Sequence, residues 1–188
     1  VETCKDLDIP FVRRITGGGT VFHDYEGEIT YSIITDKIEG DIEDSFHELI
    51  EPIIEVLKKY DLDAEFKPYN DILVDGRKIS GSAQKRGKNS ILQHGTLMYA
   101  TDLETLSKIL ILDEEKMKKK GAESFLELVT TMEDDLGWKP SPKDLIEELK
   151  NEYKKKFRFN LIERGFTDNE QEMIEKLLPK GPEREMLL

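Results

Sequence analysis

The chain contains 188 residues and carries a formal net charge of −12, from 40 acidic and 28 basic residues. This length allows one domain with a sizeable core and is marginal for two. The acidic balance argues against general nucleic-acid binding, because neutralising a phosphate backbone requires a basic face. A site for nucleotide phosphates stays open, since it needs only a local positive pocket.

The compartment is indicated by what the sequence lacks. Cys4 is the single cysteine, so no disulfide framework can form within the chain, and a reducing cytoplasm is favoured. No apolar run approaches the roughly 18 residues of a membrane span, and the charged residues 1–8 do not resemble a signal peptide. We expect a cytoplasmic protein that does not enter a membrane. Abundant Lys, Glu and Ile favour a thermophilic source.

Strands are predicted mainly in the N-terminal half, where β-branched and aromatic residues alternate and nine of the 13 glycines lie. Asp75-Gly76 is typical of a hairpin turn between two of these strands. The predicted strands cover residues 9–15, 20–23, 28–34, 64–67, 71–74, 78–84 and 91–100.

Helices are predicted between and after these strands. Apolar residues over 46–57 recur with helical spacing, and Pro52 is expected to kink or restart that helix. Asp102 caps a helix to residue 110, Ser141-Pro142 opens one to about residue 157, and a Thr167–Glu170 capping box opens one to residue 178, ended by prolines 179 and 182. Strands followed by helices predict an α+β fold with a mixed or antiparallel sheet.

A triple glycine, Gly17-Gly18-Gly19, follows Arg13-Arg14 directly after the first predicted strand. Three residues without Cβ atoms let a ligand approach backbone N–H groups, which can form an anion-binding nest. Only one of the two arginines is expected to point into such a site, because side chains alternate along a strand. The alternative is a flexible loop. The spacing matches neither a P-loop nor a dinucleotide fingerprint.

Lys78 opens a predicted strand and is followed by small residues at positions 80–83. A single long cation among small residues leaves room for a ligand, and it could neutralise charge that builds as an acyl–phosphate bond forms. Asp71, with or without Asn70, could hold Mg²⁺ through oxygen ligands. The alternative is an ordinary hairpin lysine. Lys85, Arg86 and Lys88 are interpreted as solvated turn charges.

His94 precedes Gly95 in a later strand, so it could line a ligand pocket or be a structural histidine with its hydrogen bonds satisfied. His47 is expected on the polar side of a helix. His23 and His94 have no third ligand at useful spacing, which argues against a zinc site.

Four motifs in order resemble the lipoate–protein ligase A family: Arg13-Arg14-x-x-Gly-Gly-Gly-x-Val21-Phe22-His23-Asp24, Asn70-Asp71, Asp75-Gly-Arg-Lys78-Ile-Ser-Gly-Ser-Ala83, and His94-Gly95-Thr96-Leu97 with Asp102-Leu103. The resemblance covers roughly residues 9–132. It implies a fold similar to biotin–protein ligases and class II aminoacyl-tRNA synthetases. It also implies a two-step reaction, in which lipoate and ATP give lipoyl-AMP and the lipoyl group passes to a lysine of a carrier domain.

The resemblance also implies roles for individual residues. Lys78 is the catalytic residue, in contact with lipoate and the adenylate phosphate, and Asp71 is the candidate Mg²⁺ ligand. The implied contacts to ATP or lipoyl-AMP are Arg14, Gly17, Gly18, Gly19, Thr20, Val21, Phe22, Asn70, Asp71 and Lys78. The implied contacts to lipoate are His23, Lys78, Gly81, Ala83, His94, Gly95 and Thr96.

The resemblance predicts one catalytic domain over residues 1–188. Residues 1–135 form a motif-bearing core, and residues 136–188 form a helical C-terminal part that does not resemble the accessory domain of larger ligases. The chain begins with Val1 close to the first predicted strand, so we expect that the usual N-terminal strands are missing. An archaeal or thermophilic member is expected.

The predicted partners are lipoyl carrier domains, either the glycine cleavage H protein or a 2-oxoacid dehydrogenase E2, and a separate accessory subunit is also conceivable. Two other functions stay open. One is an octanoyl or lipoyl transferase, although Cys4 lies far from where its cysteine nucleophile belongs. The other is a non-catalytic lipoate-binding subunit. Biotin transfer is a weaker rival, because biotin ligases have a different glycine-rich pattern.

Overall fold

The computed structural model describes residues 2–36, 38–110 and 122–177. Five strands form one sheet in the order β1-β5-β4-β3-β2, and every pair of neighbours is antiparallel. The strands are β1 Glu28–Asp36, β2 Ala64–Lys67, β3 Asp71–Val74, β4 Arg77–Arg86 and β5 Ser90–Met98.

Six α-helices accompany the sheet in the described residues, with a short 3-10 helix at Phe125–Glu127. The expected α+β class is confirmed. The helices are α1 Glu2–Asp6, α2 Ile42–Lys59, α3 Leu103–Ile109, α4 Met132–Leu136, α5 Pro142–Phe157 and α6 Asp168–Leu177. No helix among the described residues is long and apolar enough to cross a bilayer.

Helix α2 supplies most of the main core. Asp41 and Asp44 form a capping box, so the helix begins four residues before the apolar repeat that predicted it. The helix is continuous through the buried Pro52, and the predicted restart is wrong. Its apolar face packs with α5 on one face of the sheet, against buried side chains that include Ile72, Ile79 and Leu97.

A smaller apolar cluster lies on the opposite face of the sheet. Met98 of β5, Leu106 of α3 and Val129 are buried there, with Phe22 and Phe125 packed against them. Leu97 and Met98 therefore point to opposite faces, as consecutive strand residues must. We call the face that carries Met98, together with His94 and Thr96 of the same parity, the site face.

Two predicted strands are wrong. Residues 9–15 and 20–23 have no strand structure and form an irregular segment over the site face. No strand of the described sheet pairs with them, and β-forming residues make a strand only where a neighbour completes the hydrogen bonds. The other predicted strands and helices are confirmed with small shifts at their ends. The predicted ends of the last helix at residue 178 and at prolines 179 and 182 lie outside the described residues.

Candidate active site on one face of the sheet

Lys78 sits where β4 meets a crossing segment. Its backbone N–H donates to the carbonyl of Leu128 at 2.9 Å, and its carbonyl accepts from the N–H of Thr130 at 2.9 Å. This short parallel bridge fixes the backbone of residue 78 on both sides. Its side chain then runs across β4 towards Asp71, and Nζ lies 2.7 Å from Asp71 Oδ1.

Gly81 makes that path possible. A Cβ at residue 81 would stand 2.8 Å from both Cε and Nζ of Lys78, and 3.5 Å from Asp71 Oδ1. The first distances are shorter than a van der Waals contact, so a side chain here would displace the ammonium. The expectation that small residues leave room beside a long cation is therefore met by the geometry.

Asn70 holds the strand that carries these residues. Its amide Nδ2 donates to the carbonyl of Ser82 at 2.5 Å, and the N–H of Ser82 donates back to the carbonyl of Asn70 at 2.9 Å. Asn70 is thus half-buried and already engaged with β4. Its neighbour Asp71 pairs with Gly81 in register, which turns the carboxylate to the same face as the Lys78 ammonium.

The glycine segment crosses the site face and is tied to β5 by Thr16. The buried Thr16 hydroxyl lies 2.6 Å from Nε2 of His94. Arg14 Nη2 donates to the carbonyl of Gly17 at 2.8 Å, and Arg14 Nε is buried with no hydrogen-bond partner among the described residues. Arg14 is half-buried and Arg13 is exposed. One arginine faces the site, as expected, although the segment is not a strand.

Gly18 is the glycine whose identity the backbone demands. Its φ is +108°, and a Cβ there would meet Arg14 Nη2 at 2.7 Å. Gly17 and Gly19 have open space where a side chain would stand. All three glycines and Thr20 are exposed, so their backbone N–H groups can be reached from solvent as a ligand nest requires.

The second half of the glycine segment is anchored by two contacts. The half-buried ring of Phe22 packs into the apolar cluster of the site face, and Asp24 Oδ2 accepts from the N–H of Asp102 at 2.8 Å. Val21 is 44% exposed. Phe22 therefore has a packing role beside the nucleotide contact that we predicted for it.

His23 and Glu28 form a pair that the sequence did not reveal. His23 Nδ1 lies 2.5 Å from Glu28 Oε1, and the side chains are 58% and 2% exposed, respectively. The hydrogen bond that His23 donates to the Glu28 carboxylate raises the pKa of His23 above its ordinary value of 6.5. Burial raises the pKa of the Glu28 carboxyl, against the opposing effect of His23. An acidic residue that opens a strand five residues after a histidine is the only signal in the sequence.

His94 has the opposite tendency. Burial, followed by the positive charges of Arg14 and His23, lowers its pKa below 6.5. A neutral imidazole is favoured, and Thr16 occupies its Nε2. Its cross-strand neighbours are Ala83 on β4 and Ser32 on β1. The electrostatic influence of His23 and Arg14 on His94 indicates that the three side chains belong to one cluster.

Gly95 faces away from this cluster. A Cβ at residue 95 would stand 2.7 Å from Tyr31 Oη and 2.8 Å from Ser82 Oγ, on the core side of the sheet. The predicted contact between Gly95 and lipoate would therefore have to be made by the backbone, because residue 95 has the opposite parity to His94 and Thr96. Thr96 and Gly81 pair directly across β4 and β5 and keep the parity of the site face.

A polar network lies behind the site on the core side. Tyr31 Oη is 2.7 Å from Ser82 Oγ, and Gln93 Nε2 donates to Tyr31 Oη at 3.3 Å. Burial raises the pKa of Tyr31, so its hydroxyl stays protonated. Gln84 Nε2 donates to Gln93 Oε1 at 2.7 Å. The Tyr31 hydroxyl gives Ser82, which Asn70 also holds, a further point of support on the core side.

The network ends at a buried contact with helix α2. Arg86 Nη1 donates to the hydroxyl of the buried Ser45 at 2.7 Å. The interpretation of Arg86 as a solvated turn charge is wrong, because the strand continues to residue 86 and its last residue points towards the helix. Lys85 and Lys88 are exposed, as expected.

The described residues contain no cluster of three or more His, Cys, Asp or Glu side chains placed to hold a metal ion. Mg²⁺ can be bound by one carboxylate together with water and substrate phosphates. Asp71 fits that requirement, since its buried Oδ1 makes an ion pair but no hydrogen bond among the described residues.

Residues 1–154 match the family described as the lipoyl protein ligase A/B catalytic domain. The chain belongs to this family. The predicted membership is thereby confirmed over most of the sequence. The matched range contains every predicted site residue from Arg14 to Thr96 and extends beyond the resemblance that the motifs indicated.

Curated members of the lipoyl protein ligase A/B family resemble the chain along part of their length. Lipoate-protein ligase LplJ of Bacillus subtilis is 39% identical over 132 residues, which are 70% of this chain and 39% of that protein. Lipoate–protein ligase 1 of Staphylococcus aureus is 37% identical over 90% of this chain and 51% of that protein. The chain thus spans between about two fifths and half the length of these two relatives.

Another similar protein has a different activity in its name. Octanoyltransferase LipM of Kyrpidia tusciae is 28% identical over 90% of this chain and 71% of that protein. The sequence identity is therefore higher to the two ligases than to the transferase. The match to the transferase, however, covers a larger share of that protein.

Solved structures confirm the predicted fold. A bi-partite lipoate protein ligase of Thermoplasma acidophilum, from an archaeal lipoylation system with its E2 lipoyl domain, has a TM-score of 0.82 at 28% identity, covering 95% of this chain and 70% of that chain. A lipoate-protein ligase A bound with ATP has a TM-score of 0.80 at 25% identity, covering 95% and 71%.

A biotin protein ligase of Aquifex aeolicus has a TM-score of 0.52 at 15% identity, covering 70% of this chain and 53% of that chain. At this identity the likeness concerns the fold alone. It bears out the prediction that the architecture is shared with biotin–protein ligases.

Proposed function

We propose that the chain is the catalytic core of a lipoate–protein ligase. It would activate lipoate with ATP to give lipoyl-AMP and pyrophosphate, and then pass the lipoyl group to a lysine of a lipoyl carrier domain. The observation that carries this proposal is the position of the Lys78 ammonium over Gly81, on the same sheet face as Arg14 and His94.

Adenylation must bring a carboxylate and a polyphosphate together, and the two anions repel each other. Lys78 supplies a fixed positive charge from β4, and Arg14 supplies a second one from the glycine segment. The guanidinium of Arg14 has a planar fork that suits phosphate or carboxylate oxygens, and its buried Nε lacks a partner among the described residues. The two cations and the exposed glycine N–H groups offset the repulsion and hold the reacting atoms in place.

ATP as the activating nucleotide is supported by the similar ligase that binds ATP, and lipoate by the names of the curated relatives. The predicted Mg²⁺ ion would be held by Asp71 and would neutralise phosphate charge when bound. Because Asp71 is paired with Lys78, the carboxylate also keeps the ammonium in position before the substrates arrive.

The second step requires no nucleophile from this chain. The amine of the acceptor lysine attacks the acyl carbon, and AMP leaves with the electron pair of the carbon–oxygen bond. Adenylation has converted a poor leaving group into a good one, so positioning accounts for much of the remaining rate. The role of this chain is then to hold the adenylate and admit the carrier domain.

The test is lipoate-dependent exchange of pyrophosphate into ATP, followed by the mass shift of a lipoyl domain. Lys78→Ala should lower exchange by about 10²-fold or more, because one charge-stabilising group is removed from the reacting centre. Lys58→Ala is the matched control, since Lys58 pairs with Glu55 on the exposed side of α2. Wild-type exchange in Lys78→Ala would remove Lys78 from the site.

An octanoyl or lipoyl transferase is the second candidate, favoured by the match to octanoyltransferase LipM over 71% of that protein. Such an enzyme needs an accessible thiolate. Cys4, the single cysteine of the sequence, is buried in α1. Acyl transfer between two carrier proteins without ATP would support the transferase. A Cys4→Ser variant that keeps full ATP-dependent lipoylation would support the ligase.

The acceptor and the subunit composition belong to the same proposal. We expect a 2-oxoacid dehydrogenase E2 lipoyl domain or the glycine cleavage H protein as acceptor, since the similar Thermoplasma ligase is described with its E2 lipoyl domain. That ligase is bi-partite, which keeps a separate accessory subunit among the expected partners. Octanoate and biotin should be offered beside lipoate to define the acyl specificity.

A further inference from the structure

His23 is a predicted lipoate contact, and its pair with Glu28 is not required for the adenylation chemistry proposed above. Glu28 opens β1 opposite Met98, and its carboxylate is 2% exposed, whereas the imidazole that it contacts is 58% exposed. A buried carboxylate bound to Nδ1 leaves Nε2 as the ring nitrogen that solvent or a ligand can reach. This is the arrangement in which a carboxylate fixes the tautomer and the orientation of a catalytic histidine.

We propose that His23 is the general base of the acyl-transfer step and that Glu28 is its positioning residue. This inference rests on the proposed ligase function. The proton donor is the amine of the acceptor lysine, which comes from another protein, so the base must be accessible from outside. The exposure of His23 meets that requirement, and the half-buried His94, whose Nε2 is engaged by Thr16, does not.

The step balances without any further reactant. The neutral lysine amine, which has lost its ammonium proton to solvent, attacks the acyl carbon of the adenylate. The carbon–oxygen bond to the phosphate breaks, and AMP leaves with its electron pair. The proton released from the amine nitrogen passes to Nε2 of His23, Glu28 holds the resulting imidazolium through Nδ1–H, and the proton later returns to water.

The charges around His23 set the pH at which it can act. Glu28 favours the protonated ring, and Arg14 of the glycine segment opposes it. Asp24 disfavours ionisation of Glu28, and His94 on β5 is held neutral by burial and by these cations. The hydrogen bond to Glu28 outweighs burial and Arg14, so the net effect raises the pKa of His23 above 6.5.

The decisive experiment separates the two half-reactions in the full chain. Glu28→Gln keeps the size of the side chain and removes its charge. We expect lipoate-dependent pyrophosphate exchange within about twofold of wild type, because Glu28 takes no part in adenylation. Single-turnover transfer from synthetic lipoyl-AMP to an E2 lipoyl domain should fall by about 10²-fold, a typical loss when a general base is impaired.

Two readouts distinguish positioning from a merely structural effect. The acidic limb of the pH–rate profile for transfer should move to lower pH in Glu28→Gln, because the pKa of His23 loses the influence that raises it. Nitrogen chemical shifts of ¹⁵N-labelled His23 should follow the same displacement and report the ring directly. Glu28→Asp should restore part of the rate. Glu26→Gln, an equal change of charge at an exposed side chain two residues away, is the matched control.

The outcomes separate this inference from the function on which it rests. A wild-type chain that performs neither half-reaction with lipoyl domains or the H protein contradicts the ligase function. A wild-type chain that performs both, with a Glu28→Gln variant that transfers at the wild-type rate and keeps the wild-type pH profile, contradicts the His23–Glu28 dyad alone.

Discussion

The ammonium of Lys78 passes so close to Gly81 that the two positions cannot both carry full side chains: a Cβ at residue 81 would lie 2.8 Å from Nζ. The Lys78 ammonium and the glycine three residues later therefore form one structural unit. The ion pair with Asp71 completes it, at 2.7 Å. The hairpin thus presents a lysine that is held before any ligand binds.

Gly81→Ala tests this unit. The flexible lysine tail should yield instead of the strand, because φ of Gly81 lies outside the left-handed region. We expect stability within about 1 kcal/mol of wild type and a loss of pyrophosphate exchange of 10-fold or more, roughly 1.4 kcal/mol of transition-state stabilisation. Gly165→Ala, at an exposed residue with open space around it, is the control. Equal pyrophosphate exchange in the two variants would contradict the conclusion that Gly81 is needed to position the Lys78 ammonium.

Asn70→Asp tests the hydrogen bond by which the Asn70 side chain holds β4 at Ser82. The substitution removes the donor to the Ser82 carbonyl and sets a carboxylate against that oxygen. Loss of this hydrogen bond, with one partner left unsatisfied, should lower the free energy of unfolding by about 2 kcal/mol, measured by urea denaturation. Asn151→Asp on the exposed side of α5 makes the same change without the contact. An equal loss of unfolding free energy in both variants would show that this hydrogen bond does not contribute to stability.

Tyr31→Phe, Ser82→Ala and the double variant test the network behind the site. Tyr31→Phe removes the contact of Tyr31 with both Ser82 and Gln93, and Ser82→Ala removes only the contact with Ser82. Each single change should cost about 1–2 kcal/mol. The double variant should lose clearly less stability than the sum of the two single losses, because neither hydroxyl of the pair is left without the other. Tyr25→Phe, at a residue that is 98% exposed, controls for loss of a hydroxyl. Strict additivity would argue against a direct bond.

The His23–Glu28 pair predicts a pH dependence of stability. Because the pKa of His23 is raised in the folded state, the stabilisation is fully present below its ordinary value of 6.5 and is lost as pH rises through the folded value. His23→Gln should therefore destabilise the protein more at about pH 6 than at about pH 9, in urea titrations at both pH values. If the difference in stability between His23→Gln and wild type is the same at both pH values, His23 and Glu28 do not form an ion pair.

The sequence predicted elements best where local chemistry decides. β2, β3 and α5 begin and end where turn residues, a hairpin signal and a Ser-Pro cap placed them. The strand predicted at residues 9–15 was wrong because a strand depends on a distant partner, which β-forming residues alone do not reveal. A segment of β-forming residues therefore becomes a strand only if another strand pairs with it in the folded protein.

Within the candidate site, the lysine, the glycine segment and Asp71 were predicted, and their contacts were not. The register of β4 shifts beside Ile72 and Leu73, and this irregularity decides which residues share a face with Lys78. The orientation of Gly95 was missed because it depends on strand parity relative to Tyr31. The Glu28 contact was missed because a charged residue at the start of a strand usually indicates solvent.

The contact between Arg86 and Ser45 has a consequence for engineering. Ser45 lies on α2 and is hydrogen-bonded to Gln84 and Arg86, so it supports β4 from behind. Libraries intended to widen acyl-chain acceptance should keep this serine fixed, although it is not a candidate site residue. A screen for altered specificity that randomises α2 would also disturb the support of β4. Changes in selectivity could then not be separated from damage to that strand.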